Sequence, residues 1–304
     1  MKILVTGGAG FIGSHICRLL LDEGHEVTVF DNLSKGSKEN IDKRAIFIKE
    51  DLRSPKGLKN ALKGVEAVIH MAALAEVNES VHKPLLYLEN NVIGCLNLLE
   101  AMREAGVKRI IFSSSCTVYG RPEKLPLTED APISATNPYG ATKVACEALI
   151  TSYRHLYAFD TVLLRYFNPY GPGEKHNPET HAIPNFILSG LAKKPIPLFW
   201  KGEGIRDFIY VEDLARAHIA PLKLKGFHTF NVGSEQEVKV IGVVNLISKI
   251  LGYKLEVKDL GERAGDVPAT YASSKKLNKA TGWKAKVSLE EGLRETIDWF
   301  KART

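Results

Sequence analysis

The chain has 304 residues, enough for one large domain or two modest ones at about 150 residues each. Charge is +6, from 41 basic and 35 acidic side chains, and a composition 44% hydrophobic and 25% charged excludes intrinsic disorder and fibrous architecture. Lysines and arginines are dispersed among the acids without a basic block, so no nucleic-acid partner is expected.

Met1–Gly13 is apolar but glycine-broken and has no small-residue cleavage site, so it reads as a first strand and turn rather than a leader. Short runs rich in Val, Ile and Phe follow at Ile3–Thr6, Glu26–Phe30, Ala45–Lys49, Ala67–His70 and Arg109–Ser113. Helical patterns lie between them. Phe11–Glu23 places Ile12, Ile16, Leu19 and Leu20 on one side, and Leu88–Ala105 repeats Val92, Cys95, Leu96, Leu99 and Met102 at helical spacing. This alternation predicts an α/β, Rossmann-type doubly wound parallel sheet over residues 1–166. After Thr161–Tyr166 the prolines gather, at Pro169, Pro172, Pro178, Pro184, Pro195 and Pro197. Residues 167–304 read as a smaller α+β substrate region, with Thr229–Val232 returning to the main sheet. A helix at Val240–Leu251 and a capped one over Ser288–Arg303 (Ser288, Glu291) complete it.

Cys17, Cys95, Cys116 and Cys146 lie far apart with no CxxC, which fits reduced thiols in a cytoplasmic compartment. No apolar run approaches the roughly 18 residues of a membrane span, so no membrane partner is expected.

After the first strand comes Thr6-Gly7-Gly8-Ala9-Gly10-Phe11-Ile12-Gly13, opening the first helix. Its glycines permit a tight turn, and the helix N-terminus offers unpaired N–H groups and partial positive charge to a pyrophosphate. Asp31 ends the second strand 18 residues after Gly13. A carboxylate there accepts from an adenosine ribose and repels a 2′-phosphate, favouring NAD over NADP. Arg44 and Lys35 are the nearby cations that would argue otherwise.

Two further segments carry chemistry. Ser113–Gly120 closes the fifth strand, and Asn137-Pro138-Tyr139-Gly140-Ala141-Thr142-Lys143 opens a helix with Asn137 as cap and Pro138 at its first position. Tyr139 and Lys143, four apart, share a helix face. A free tyrosine, with a pKa near 10, is a poor base. An ammonium about 4 Å away favours the phenolate by about 4 kcal/mol at an effective dielectric near 20. Tyr139 would then take a proton from a substrate hydroxyl while hydride leaves the same carbon, with Ser115 bonding the oxygen.

These segments resemble the extended short-chain dehydrogenase/reductases and, within them, the UDP-glucose (UDP-galactose) 4-epimerases. The resemblance spans the chain through Thr6–Gly13, Asp31-Asn32-Leu33-Ser34, Asp51-Leu52-Arg53, His70-Met71-Ala72-Ala73, Ser113–Gly120, Tyr139–Lys143, Arg165–Pro169, Arg206-Asp207-Phe208 and Arg263–Asp266. It implies a tightly held NAD that is reduced and reoxidised within one turnover. Asp51 and Leu52 would flank the adenine, Ala72, Ala73 and Asn90 line the cofactor cleft, and Tyr166 lie near the nicotinamide. With a UDP-sugar bound, Asn168, Arg206, Arg263 and Asp266 would meet its phosphates and ribose, and Phe199 would cover the uracil.

In the similar 4,6-dehydratases an Asp-Glu pair follows the catalytic serine or threonine, whereas Cys116 and Thr117 stand here and supply no carboxyl acid for elimination. Thr270 falls where some epimerases carry a bulky aromatic, so UDP-GlcNAc and UDP-GalNAc are expected to enter beside UDP-glucose and UDP-galactose. A UDP-glucuronate 4-epimerase, a net nucleotide-sugar reductase and an idle nucleotide sensor remain the alternatives. No metal site is expected: His176 and His181 lie in a proline-rich loop, and His70 reads as a core histidine. Similar enzymes pair two helices into a homodimer, and 88–105 and 140–157, apolar through Leu98, Leu99, Ala145 and Leu149, fill that place.

Overall fold

Alternating apolar residues and short helices build the chain around one sheet. A computed structural model describes residues 1–174, 181–261 and 267–303. Its strands are β1 (Lys2–Thr6), β2 (Glu26–Asp31), β3 (Ile46–Lys49), β4 (Ala67–His70), β5 (Arg109–Ser115), β6 (Asp160–Tyr166), β7 (Asn168–Tyr170), β8 (Ile196–Leu198), β9 (Ile205–Arg206), β10 (Phe208–Tyr210), β11 (Phe227–Val232), β12 (Val238–Lys239), β13 (Val257–Asp259) and β14 (Ala269–Thr270). The helices are α1 (Phe11–Asp22), α2 (Lys56–Ala61), α3 (Val77–His82), α4 (Pro84–Tyr87), α5 (Gly94–Ala105), α6 (Pro138–Tyr157), α7 (Ala182–Leu191), α8 (Val211–Ile219), α9 (Val240–Leu251), α10 (Lys275–Thr281) and α11 (Leu289–Lys301). None is long and apolar enough to cross a membrane, among the described residues.

The main sheet is parallel throughout, in the order β11-β6-β5-β4-β1-β2-β3. The segment expected to return to it, Thr229–Val232, is the end of β11. Strand side chains alternate between faces. Ile3 and Val5 meet Ile16 and Leu20 of α1 and Leu214 and Ala217 of α8, whereas Leu4 meets Leu58, Leu99 and Ile150 of α2, α5 and α6. A third core, with Phe186, Val243 and Ile297, joins α7, α9 and α11 to Tyr170 and Tyr210.

Two expectations change. Leu88–Ala105 is not one regular helix: its first six residues, Leu88–Ile93, form a π-helical turn before α5 begins at Gly94. That turn drives Asn91 inward, where its amide accepts from Leu74 N (2.8 Å) and donates to Leu74 O and Thr142 Oγ1, both at 3.0 Å. Leu98 and Leu99, invoked for a helix-pairing face, are wholly buried in the chain's own core. Among the apolar side chains that α5, its preceding turn and α6 leave at least partly open are Leu88, Ile93, Leu96, Ala145 and Leu149.

α6 starts as its sequence dictates: Asn137 Oδ1 accepts Gly140 N at 2.8 Å, with Pro138 in the first turn. Its register on the sheet is set by charge. Glu147 accepts Arg165 Nε (2.9 Å), Arg165 Nη2 (2.6 Å) and Ser114 Oγ (2.5 Å). Arg165 also donates to Tyr119 OH at 3.1 Å, and Tyr119 donates to Asn231 Oδ1 at 2.6 Å, so α6, β5, β6 and β11 are tied through buried groups. Removing one partner leaves the other charge buried and alone. Glu147→Ala should lower unfolding free energy by about 3–5 kcal/mol, and Glu147→Met with Arg165→Met by much less than the sum of the single changes, as read by chemical denaturation.

Candidate functional site

The C-terminal ends of the parallel strands form the edge at which such sheets bind ligands. Between β1 and α1 the chain turns at Gly7 (φ 72°), and a Cβ on Gly13 would stand 2.2 Å from Gly7 O, so only glycine lets α1 close on the turn. No side chain caps the first turn of α1 and no acid lies within it. Its N–H groups and positive end therefore suit a pyrophosphate running past Gly10, Phe11 and Ile12.

Asp31, at the end of β2, accepts Ala9 N (3.0 Å) and Leu33 N (2.8 Å); burial raises its pKa and these two bonds oppose that. Lys35 is held by Glu76 at 2.8 Å, and Arg44 by Asp42 and Asp22 at 2.6 and 2.8 Å. Both cations that could have favoured a 2′-phosphate are thus committed to other carboxylates. Asn32 donates to Asp51 Oδ2 at 2.8 Å while accepting Ser34 N at 2.9 Å. Arg53 holds Asp51 well below the usual carboxylate range, and Leu52 is buried beneath. Ala72 N donates to Thr6 Oγ1 at 3.3 Å, and Ala73 follows it in the same loop beyond β4. Asn90 lies in the π turn and donates to Asn91 Oδ1 at 3.0 Å.

Ser115 ends β5 directly opposite Tyr166 on β6. Its Oγ accepts Thr117 N (3.2 Å) and Thr117 Oγ1 (3.0 Å), and it lies near enough to the Tyr139 phenol to draw that group's pKa downward. Tyr139 is buried beside Leu74 and Tyr87. Lys143 Nζ donates to Ser113 O at 2.7 Å and stands 5.8 Å from the Tyr139 ring centre. Burial raises the Tyr139 pKa, with Ser115 pulling the other way. Burial also brings Lys143 down to about 8, against the opposing charges of Cys146, Cys95 and Glu147.

Two histidines sit behind the lysine, one of them unsignalled by any motif. His218 of α8 hydrogen-bonds Leu214 O through Nδ1 (2.9 Å), which can only accept, so Nδ1 carries the proton and Nε2 accepts Ser113 Oγ (2.7 Å). His70, a core histidine as expected, bonds Thr6 Oγ1 at 2.7 Å. Burial, reinforced by Lys143, lowers His218 to about 4 and His70 to about 3, so both stay neutral at pH 7. Glu147 and Arg165 are the other groups that sequence reasoning missed. Only their identity as buried charges signals them, and burial is not legible from spacing.

Of the residues expected to meet substrate, Arg206 of β9 pairs with Thr270 of β14, while Asn168 of β7 pairs with Phe208 of β10. Arg206 Nη1 donates to Ile205 O at 2.8 Å. Phe199 follows β8 and is 37% exposed, in a separate strand pair. Arg263 and Asp266, like His176, lie outside the described residues. His181 bonds Glu174 Oε1 at 2.6 Å. Burial pushes the Cys116 thiol to about 12, and the charges acting on it are those of Arg206 and Asp207. Cys116 directly follows Ser115, the last residue of β5.

Known proteins share this fold. A UDP-glucose 4-epimerase of Bacillus subtilis is 38% identical over 330 aligned positions, covering 98% of this chain and 96% of its own. The structure of the Thermus thermophilus UDP-glucose 4-epimerase in complex with NAD superposes with a TM-score of 0.93 at 37% identity, over 100% of both chains. The UDP-N-acetylglucosamine 4-epimerase of Methanobrevibacter ruminantium, in complex with UDP-N-acetylmuramic acid, gives 0.95 at 38%, over 100% of this chain and 99% of that one. Residues 3–233, which hold the glycine turn, the Ser115–Tyr139–Lys143 group and β11, match the family model described as NAD dependent epimerase/dehydratase, and the chain belongs to that family.

Proposed function

We propose that this chain is an isomerase that interconverts UDP-hexoses at C4 through a 4-keto sugar, using NAD held in the β1–α1 groove. The observation that carries this reading is the meeting of Ser115, Tyr139 and Lys143 at the strand edge, beside an uncapped helix N-terminus. Gly7, Gly10, Phe11, Ile12, Gly13, Asp31, Asn32, Ser34, Asp51, Leu52, Ala72, Ala73, Asn90 and Tyr166 would hold the cofactor. Bound NAD supplies the reversible hydride acceptor and a positive ring charge. Tyr139 takes the proton of the sugar 4-hydroxyl and returns it after the ketone has turned over, while Ser115 bonds the oxygen throughout. Lys143, charged below about pH 8, adds a positive potential that a phenolate needs. Cys116 and Thr117 offer no carboxyl group for elimination, which favours epimerisation over dehydration.

On the sugar side, Asn168, Arg206, Arg263 and Asp266 would meet phosphates and ribose and Phe199 the uracil. Arginine suits a diphosphate because its planar fork bonds two oxygens at once. Thr270 would leave space for an N-acetyl group, and the similarity to a UDP-N-acetylglucosamine 4-epimerase supports that wider range. The four free cysteines fit a cytoplasmic enzyme. The partly open Leu88, Ile93, Leu96, Ala145 and Leu149 support a homodimer through the α5 and α6 faces.

Incubation of the purified protein with UDP-glucose, UDP-GlcNAc and UDP-glucuronate separately, resolving the C4 isomers, should show conversion of the first two. Tyr139→Phe should lose about 10²–10⁴-fold in turnover while keeping NAD and UDP binding; retained turnover refutes the proton role. Thr270→Tyr should lower the rate on the N-acetylated pair at least about tenfold relative to the glucose pair, and an unchanged ratio removes Thr270 from the specificity argument. Light scattering at micromolar concentration should give twice the mass of the chain, and a monomer would exclude the dimer.

A further inference from the structure

Of the Arg206-Asp207-Phe208 motif, the reading above uses only the arginine. Asp207 is wholly buried, and its carboxylate is surrounded by donors. Oδ1 accepts Ser234 N and Ser234 Oγ, both at 2.7 Å, and Oδ2 accepts Ala272 N (3.2 Å) and Glu235 N (3.3 Å). Its backbone is as fully engaged. Asp207 N donates to Thr270 O at 3.1 Å, and Asp207 O accepts Asn168 N at 3.1 Å and Asn168 Nδ2 at 2.9 Å.

The residue stands where the chain leaves one strand pair for another: Arg206 before it pairs with Thr270, and Phe208 after it pairs with Asn168. Gly233 is shaped for the carboxylate, since a Cβ there would lie 2.2 Å from Oδ2. We infer that Asp207 is the positioning residue of the nucleotide-sugar side, fixing Asn168, Arg206 and Thr270 relative to one another without itself touching substrate. The inference rests on the proposed function for the identity of the ligand. Its physical basis is independent: an amide at this position presents N–H to at least one pair of the N–H and O–H donors that the carboxylate accepts, so the segments around it must separate.

Asp213 supplies the matched comparison. It is also a buried carboxylate, and Oδ2 accepts Lys286 N (2.8 Å) and Val287 N (2.9 Å), but it ties α8 to the segment leading into α11 and its carboxylate is not bonded to Asn168, Arg206 or Thr270. The test compares Asp207→Asn, Gly233→Ala and Asp213→Asn, each purified with its cofactor, by steady-state epimerisation of UDP-glucose, calorimetric binding of UDP, NAD content and melting temperature. The expected result is a KM and a UDP Kd raised about tenfold or more in Asp207→Asn and Gly233→Ala, with NAD content retained and kcat changed by less than about threefold. Asp213→Asn should lower the melting temperature with KM and Kd within about twofold of the parent. An Asp207→Asn protein with unaltered UDP affinity overturns the inference, as does an equal loss in Asp213→Asn. So does failure of both Asp207→Asn and Gly233→Ala to fold while Asp213→Asn folds, because Asp207 is then a purely structural group. UDP affinity reads the placement without turnover, so a parent protein that binds UDP but converts no sugar would refute the proposed function alone.

Discussion

The structure depends on one buried cation. Lys143 is 2% exposed, and its ammonium rests on the Ser113 carbonyl at 2.7 Å and over the Phe112 ring at 4.9 Å. A charge taken from water this far is costly unless it is bonded and compensated. The neutrality of His70 and His218, whose protonation would add like charge nearby, limits that cost. The same requirement presses α6 against β5, which brings Tyr139 to Ser115. Burial that depresses the lysine also raises the tyrosine, so both groups are displaced toward their neutral forms. Positive charge arriving in the adjacent groove shifts the tyrosine back toward the phenolate.

Two kinds of architecture meet at this edge. The dinucleotide side is one long parallel sheet with regular crossovers, so its positions are fixed by many strand contacts. The side proposed for the nucleotide sugar is assembled from strand pairs of two or three residues, β7 with β10 and β9 with β12 and β14. Such short pairs carry few ladder bonds, so a side-chain carboxylate does the joining. Asp207 replaces missing ladder bonds with an acceptor for backbone N–H groups. Cys116 directly follows Ser115, where a carboxylate would have brought a charge near Tyr139.

Strand and helix periods, the glycine turn, the Asn137 cap and the spacing of Tyr139 and Lys143 were legible from the amino-acid order. Each depends on residues within a few positions of one another, where backbone geometry leaves little choice. Asp31 at the end of β2 and the return of β11 followed from the same local patterns combined with the connection rules of parallel sheets.

Other features needed the fold. Leu98 and Leu99 turned inward and the helix began with a π turn because packing against α2, α6 and the sheet decides which face is covered. The ion pair of Glu147 with Arg165, the bond of His218 to Ser113 and the junction at Asp207 join residues 18, 105 and up to 65 positions apart. Four-residue spacing set Tyr139 and Lys143 on one face of α6, but the distance between ring and ammonium was settled by the Ser113 carbonyl on a different element. Local sequence determines backbone conformation and therefore which groups are presented. Which of them meet, and at what distance, is set by the docking of elements far apart in the chain.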